Sequence, residues 1–281
     1  MNRVEHLSVS HLTALDASPE LFVRAASTAA FDAVGLRINP PLHTPAQWPI
    51  AGDRERTRLL HALIDDLGLM VLETECFPVG PTTNVATLLP GLEASATLGA
   101  RFVLSTGVDP VEARMVERYG ELCAAAATFG LKVAMEFISW NPMRTLQDAL
   151  RVLGKVGADN AGVLIDFLHL ARTGGTASEV AQIPDDRIAY VQICDAPATL
   201  TPGMALAQEA RARRYYPGDG QLPLADILRA LPEAIPLALE APAANYADRS
   251  AADRIRIAAE VTRAFLAAHP ERRDRLAHHS D

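Results

Sequence analysis

Positive charge is in short supply in this chain. Lys and Arg number 26 against 34 Asp and Glu, a formal net charge of −8. A nucleic-acid surface normally shows a basic face, so none is expected. Cysteine is scarce too: Cys76, Cys123 and Cys194 are odd in number and widely spaced. They give neither a disulfide framework nor a zinc-knuckle spacing, which fits a reducing compartment. No apolar run approaches the ~18 residues of a membrane span. The N-terminus, Met1-Asn-Arg-Val-Glu-His, lacks the apolar centre of a secretory signal. The expectation is a cytoplasmic protein with no membrane and no nucleic-acid partner. A glycine-rich phosphate turn after the first candidate strand is also missing, since His6-Leu-Ser-Val-Ser-His11 stands there. That makes a doubly wound sheet the weaker of two α/β readings.

What is present is a repeated phrase: an apolar-faced helix, a glycine, then a short β-rich run. It occurs at Leu63-Ile-Asp-Asp-Leu-Gly68, at Thr97-Leu-Gly99 and at Ala127-Thr-Phe-Gly130. Glycine ends a helix readily because the position after the last turn wants a positive φ. Eight strands are expected, over residues 5–10, 33–38, 69–75, 101–106, 132–138, 162–166, 188–194 and 235–240. Ser18-Pro19-Glu20 opens the first helix with a cap and an early proline. Helices are also expected over Asp53 to Leu67, Pro110 to Phe129 and Ala251 to Ala268. A third, over Asn84 to Leu98, is interrupted by Pro90 and Gly91. Eight β/α units predict an α/β fold, a single (β/α)8 TIM barrel over residues 1–270. A polar tail at 271–281 is expected to be disordered. Two long connections, Asn39 to Gly52 and Pro197 to Pro217, follow strands two and seven and belong on the catalytic face.

The chemistry gathers at the strand ends. Val163-Leu-Ile closes on Asp166, with His169 three residues on. Alone, Asp166 also suits a cap for the next turn, and His169 a hydrogen-bonded core histidine. The same pattern recurs at Glu136, Gln192 and Glu240, each near the end of an apolar run. In a barrel these four strands aim at one volume, and three carboxylates there need a neutralising charge. One divalent metal ion supplies it, and the all-oxygen set Glu136, Asp166, Gln192 and Glu240 suits Mg2+ or Mn2+ better than Zn2+.

These phrases resemble the xylose-isomerase-like TIM barrels, the family of sugar phosphate isomerases and epimerases. It includes ketose 3-epimerases, inosose isomerases and dehydratases, and 3-dehydroshikimate dehydratases. The resemblance rests on Met135-Glu136-Phe137, Asp166-x-x-His169, Val191-Gln192-x-x-Asp195, Leu239-Glu240 and Arg214-Tyr-Tyr-Pro-Gly-Asp-Gly220. It implies that Glu136, Asp166, Gln192 and Glu240 bind the metal. Epimerases of the family commonly carry His where this chain has Gln192, whereas some of the dehydratases carry Gln. Pairing of copies into a homo-oligomer is a further implication of the resemblance.

The expected substrate is a small-molecule polyhydroxy carbonyl compound. In that reading Glu136 and Glu240 are the acid/base pair of an isomerase or epimerase working through a metal-stabilised enediolate. His169 contacts a substrate oxygen, or relays a proton to a leaving hydroxyl and so makes the enzyme a lyase of the 3-dehydroshikimate dehydratase type. Arg214 orients a hydroxyl, carboxylate or phosphate, unless it is a plain surface salt bridge. Glu73 is a substrate-contact candidate, and Arg37 and His11 also fall near strand ends. Trp48, Phe77 and Trp140 could wall a sugar face, and Cys194 could share the inward face of Gln192. A DNA-repair barrel is disfavoured by the charge and by the lack of a histidine-rich site. A non-catalytic partner subunit is the remaining alternative.

Overall fold

The expected glycine stops are realised: Gly68, Gly99 and Gly130 have φ of 67°, 74° and 72°. Each turns the chain from a helix into the next strand. The computed structural model describes residues 7–40 and 47–270. Its strands are β1 Leu7–Ser10, β2 Ala33–Arg37, β3 Met70–Glu75, β4 Phe102–Thr106, β5 Lys132–Glu136, β6 Ala161–Asp166, β7 Ile188–Ile193 and β8 Leu237–Leu239. All neighbouring pairs are parallel, and β8 closes on β1 to complete the barrel. This is the (β/α)8 architecture expected from the sequence. The expected tail at 271–281 and the start of the first strand at 5–6 lie outside the described residues.

The helices are α1 Pro19–Thr28, α2 Arg54–Asp66, α3 Leu89–Thr97, α4 Glu112–Ala127, α5 Leu146–Val156, α6 Phe167–Arg172, α7 Ala177–Ala181, α8 Leu206–Ala212, α9 Leu224–Ala230 and α10 Ala251–Ala268. Ser18 caps α1 by accepting from the Leu21 amide, and Asp53 caps α2 through the Arg56 amide. Pro90 does not break the third helix. It sits in the first turn of α3, where its missing N–H costs nothing, and a 3-10 turn at Val85–Leu88 precedes it. The connection from Pro197 to Pro217 is not a bare loop either, because it carries α8. Among the described residues no helix is long and apolar enough to cross a membrane.

The main core lies between barrel and helices, as the apolar outer faces of parallel strands require. A separate cluster fills the barrel interior, where Leu72, Phe102, Leu104, Leu164 and Tyr190 interleave with Ala33, Ala134, Ala189 and Ala238. The barrel is therefore plugged below its mouth. Polar side chains that rise above this plug share a small space.

One irregularity sets which β3 acid reaches the mouth. The β2–β3 register slips between Val34 and Gly35, so Val71 is opposite Val34 while Glu73 is opposite Gly35. Glu73 is 1% exposed, and neither carboxyl oxygen has a hydrogen-bond partner. Burial, then the charges of Glu75 and Glu240, push its pKa well above the usual carboxylate range. Burial and the neighbouring carboxylates thus favour its protonated form. A Cβ at Gly35 would lie 1.7 Å from Glu73 Oε1. Gly35→Ala is therefore expected to destabilise the protein by about 1–3 kcal/mol through overpacking. In a Glu73→Ala background that cost should fall below about 1 kcal/mol. Urea unfolding of the double-mutant cycle checks this, and additive losses would contradict the contact.

Candidate metal centre and substrate pocket

Four consecutive strands deliver their terminal polar groups to the mouth. Glu136 is the last residue of β5 and Asp166 the last of β6, while Gln192 on β7 stands opposite Asp166 in register. Glu240 follows β8 directly. Exposure is 5%, 0%, 0% and 3% for Glu136, Asp166, Gln192 and Glu240, so all four groups are desolvated. Asp166 does act as a cap, since its Oδ1 accepts the His169 amide at 2.9 Å at the start of α6. The same carboxylate also faces the centre. The capping reading of this residue is realised.

His169 is buried, with Nδ1 3.2 Å from Ser139 Oγ and Nε2 3.9 Å from Glu136 Oε1. Burial lowers its pKa to about 4, outweighing the nearby Asp166 charge. The ring is therefore neutral at physiological pH.

The positive charge beside these acids comes from Arg214, which is 2% exposed and no surface salt bridge. Its Nη1 donates to Asp166 Oδ2 at 2.5 Å, and its Nη2 lies 2.9 Å from Glu240 Oε2. Its Nε donates to the Ala210 carbonyl at 2.7 Å, on α8. Cys194 Sγ is 3.4 Å from Nη1, so this thiol does face the centre. Asp195 fixes the backbone next to the arginine, exchanging main-chain hydrogen bonds with Tyr215 at 2.7 and 2.8 Å. Asp195 accepts the amides of Ala196, Gly218, Gly220 and Leu222 at 2.8–3.0 Å, tying the turn after Arg214 to the end of β7. Gly220 is required for this approach, since a Cβ there would stand 2.4 Å from Asp195 Oδ1. The Pro217-Gly218-Asp219-Gly220 segment is thus a carboxylate-clamped turn. Its two glycine amides are spent on Asp195.

The arginine divides the acids electrostatically. Burial alone would raise Asp166, but Arg214 and the His169 amide outweigh it and hold its pKa low. Burial raises Glu240 to about 7 against the pull of Arg214. Burial, then the charges of Glu240 and Asp166, drive Glu136 well above the usual range. One carboxylate is fixed as an anion, and two are poised to hold protons.

The donor set fits a divalent cation. One donor atom each from Glu136, Asp166 and His169 falls within 4.8 Å of the others. Gln192 Oε1 is buried and has no hydrogen-bond partner, as an amide oxygen awaiting a cation would be. Glu240 is more heavily engaged: its Oε1 accepts from Ser10 Oγ at 2.9 Å and from Gln192 Nε2 at 3.0 Å, while Oε2 faces Arg214.

A pocket of about 150 Å³ opens above these groups, and its polar wall includes Arg37, Glu75, Glu136, His169, Arg214 and Glu240. Glu73 is not on this wall; the register slip buries it, and Glu75 two residues later takes its place. Glu75 is paired with Arg37 at 3.1 Å. His11 is also off the wall, buried with Nε2 3.0 Å from the Ala17 carbonyl and its ring against Phe22. Trp140 lines the pocket, whereas Phe77 is core and Trp48 donates to the Leu15 carbonyl. Sequence reasoning missed Glu75, and it missed α8 with Arg211 at the rim. It also missed the bidentate Arg172–Glu209 pair, at 2.7 Å for both contacts, which fastens α8 to α6.

Arg214→Met would leave Asp166 and Glu240 buried without their cation. In metal-free protein it is expected to cost about 3–5 kcal/mol, with part recovered by adding Asp166→Asn. Urea unfolding measures both, and an unchanged midpoint for Arg214→Met would contradict the pairing.

The chain is 26% identical over 219 residues to 3-dehydroshikimate dehydratase of Pseudomonas aeruginosa, covering 73% of this chain and 33% of that protein. It is 24% identical over 152 residues to inosose isomerase of Bacillus subtilis, covering 50% and 53%. The chain thus matches about a third of the first relative's length and about half of the second's. Among solved structures, IolI protein with a bound zinc atom superposes with a TM-score of 0.77 at 18% identity, covering 94% of this chain and 99% of that one. The profile described as xylose isomerase-like TIM barrel matches residues 23–265. On that match, the chain belongs to the xylose isomerase-like TIM barrel family.

Proposed function

We propose that this protein is a divalent-metal-dependent isomerase or epimerase of a small polyhydroxy carbonyl compound. The observation that carries the reading is the meeting of Glu136 and Glu240 in one pocket, from non-adjacent strands, beside Asp166 and the unpartnered Gln192 oxygen. Glu136, Asp166, Gln192 and Glu240 would hold the ion, with His169 an alternative donor. Mn2+ or Mg2+ suits the oxygen-rich set. When bound, the ion supplies Lewis acidity toward a substrate carbonyl and its neighbouring hydroxyl.

The protein's own groups do the proton work. Glu240 stands at the mouth with Oε1 accepting from Ser10 and Gln192 and Oε2 facing Arg214, placed to exchange a proton with a bound carbon. Glu136 faces the same space across the mouth, so a carbon held between them can lose a proton to one carboxylate and regain it from the other. Neutral His169 is steadied by Ser139 and can contact a substrate oxygen. Trp140, edge-on to His169 at 5.2 Å between ring centroids, helps exclude water from the reacting centre.

A lyase of the 3-dehydroshikimate dehydratase type is the second reading. It shares the proton abstraction and has His169 relay to the departing hydroxyl a proton supplied by Glu136, whose Oε1 lies 3.9 Å from Nε2. Gln192 and the dehydratase relative favour it.

Proton NMR in D2O with Mg2+-loaded protein separates these readings. The panel holds ketoses, their phosphates, inososes and 3-dehydroshikimate. Deuterium is expected at a carbon next to a carbonyl, falling at least ~100-fold for Glu240→Gln. New sugar signals would identify an isomerase or epimerase, and vinylic or aromatic signals a dehydratase. Metal binding with no exchange on any compound would sink the catalytic reading and favour a non-catalytic partner subunit.

A further inference from the structure

The cations of the pocket wall are not equivalent. Arg37 is matched by Glu75 at 3.1 Å, and Arg214 by Asp166 and Glu240 at 2.5 and 2.9 Å. Arg211 lines the same pocket, is exposed, and makes no ion pair with any described carboxylate. Its guanidinium carbon lies 5.5 Å from the centroid of the Trp140 ring, and Trp140 in turn stands 5.2 Å from the His169 ring. The wall therefore runs without a break from the buried centre to an unmatched cation at the rim.

We infer that Arg211 reads a carboxylate on the substrate, so that the substrate class is a small, anionic polyhydroxy carbonyl compound. This rests on the proposed function and narrows it. The acids at the centre are already opposed by Arg214, and the ion proposed there would compensate them further. A ring with one carboxylate can place its carbonyl and hydroxyl at the centre and its carboxylate at the rim. The planar guanidinium matches a carboxylate with two parallel hydrogen bonds, and it lies over Trp140 at 5.5 Å from the ring centroid.

Two further features favour this residue over other anion sites. The glycine amides of 218 and 220, which resemble a phosphate turn in sequence, are both spent on Asp195. Arg211 is also well anchored through its backbone. It lies two residues after Glu209, whose buried bidentate bond to Arg172 fixes α8, and one residue after Ala210, whose carbonyl binds Arg214. The charged head is free while its helix is held.

The test compares two probes that differ only in the carboxylate, 3,4-dihydroxybenzoate and catechol, titrated calorimetrically into Mg2+-loaded full-length protein. The benzoate is expected to bind at least about tenfold more tightly. The ratio should collapse to within about twofold in Arg211→Gln and recover in part in Arg211→Lys. Equal binding of the two probes by the wild type would overturn the inference while leaving the metal-dependent reading intact. A preference that survives in Arg211→Gln would overturn it as well, since the carboxylate would then be read elsewhere. Failure of the wild type to bind Mg2+ at all would remove the proposed function and this inference with it.

Discussion

Carboxylates from β3, β5, β6 and β8 converge on one barrel mouth where water is largely excluded, and like charges so confined must be neutralised. Much of the local architecture follows from that constraint. Glu75 takes Arg37 as its partner. Asp166 and Glu240 share Arg214, which is buried to 2% exposure and would be costly there without them. The arginine must be held in place, and Asp195 helps by gathering three backbone amides of the segment that follows it, those of Gly218, Gly220 and Leu222. In Gln192-x-x-Asp195 the first residue leaves a buried amide oxygen unpartnered and the last is a structural clamp. Glu136 retains the least compensation and sits opposite the neutral His169.

This unequal sharing of positive charge gives the site its chemical character. Asp166 is held as an anion suited to a cation, while Glu136 and Glu240 are pushed toward holding protons. Carboxyl groups separated in this way by environment can take different roles in one reaction. The same accounting leaves Arg211 as the unmatched charge at the rim. Charge balance therefore connects the metal reading to the substrate reading.

Much of this was legible in the sequence, and the reasons are physical. Parallel strands buried on both faces appear as short apolar runs, and the polar residue that ends each one stands out against them. Hence Glu136, Asp166, Gln192 and Glu240 could be identified together, and helix stops such as Gly68 and Gly130 fixed the repeat. Glu73 was misassigned because a register slip skips Leu72, and a single sequence carries no mark of such a slip. His11 looked like a rim residue because β1 is short, yet the chain turns inward and its ring is packed on Phe22. The α8 segment was hidden by its shortness, seven residues within a long connection. Its stability comes from Arg172 on α6, a contact between residues 37 positions apart that no local pattern reports.

The central claim is that the ends of β5 to β8 form a cation-binding centre. Calorimetric titration of metal-free protein with Mn2+ tests it most directly, in the wild type and in Asp166→Asn. One ion per chain in the wild type, with affinity reduced at least ~100-fold in the variant, is the predicted result. An absence of binding, or binding that Asp166→Asn leaves unchanged, would contradict the account.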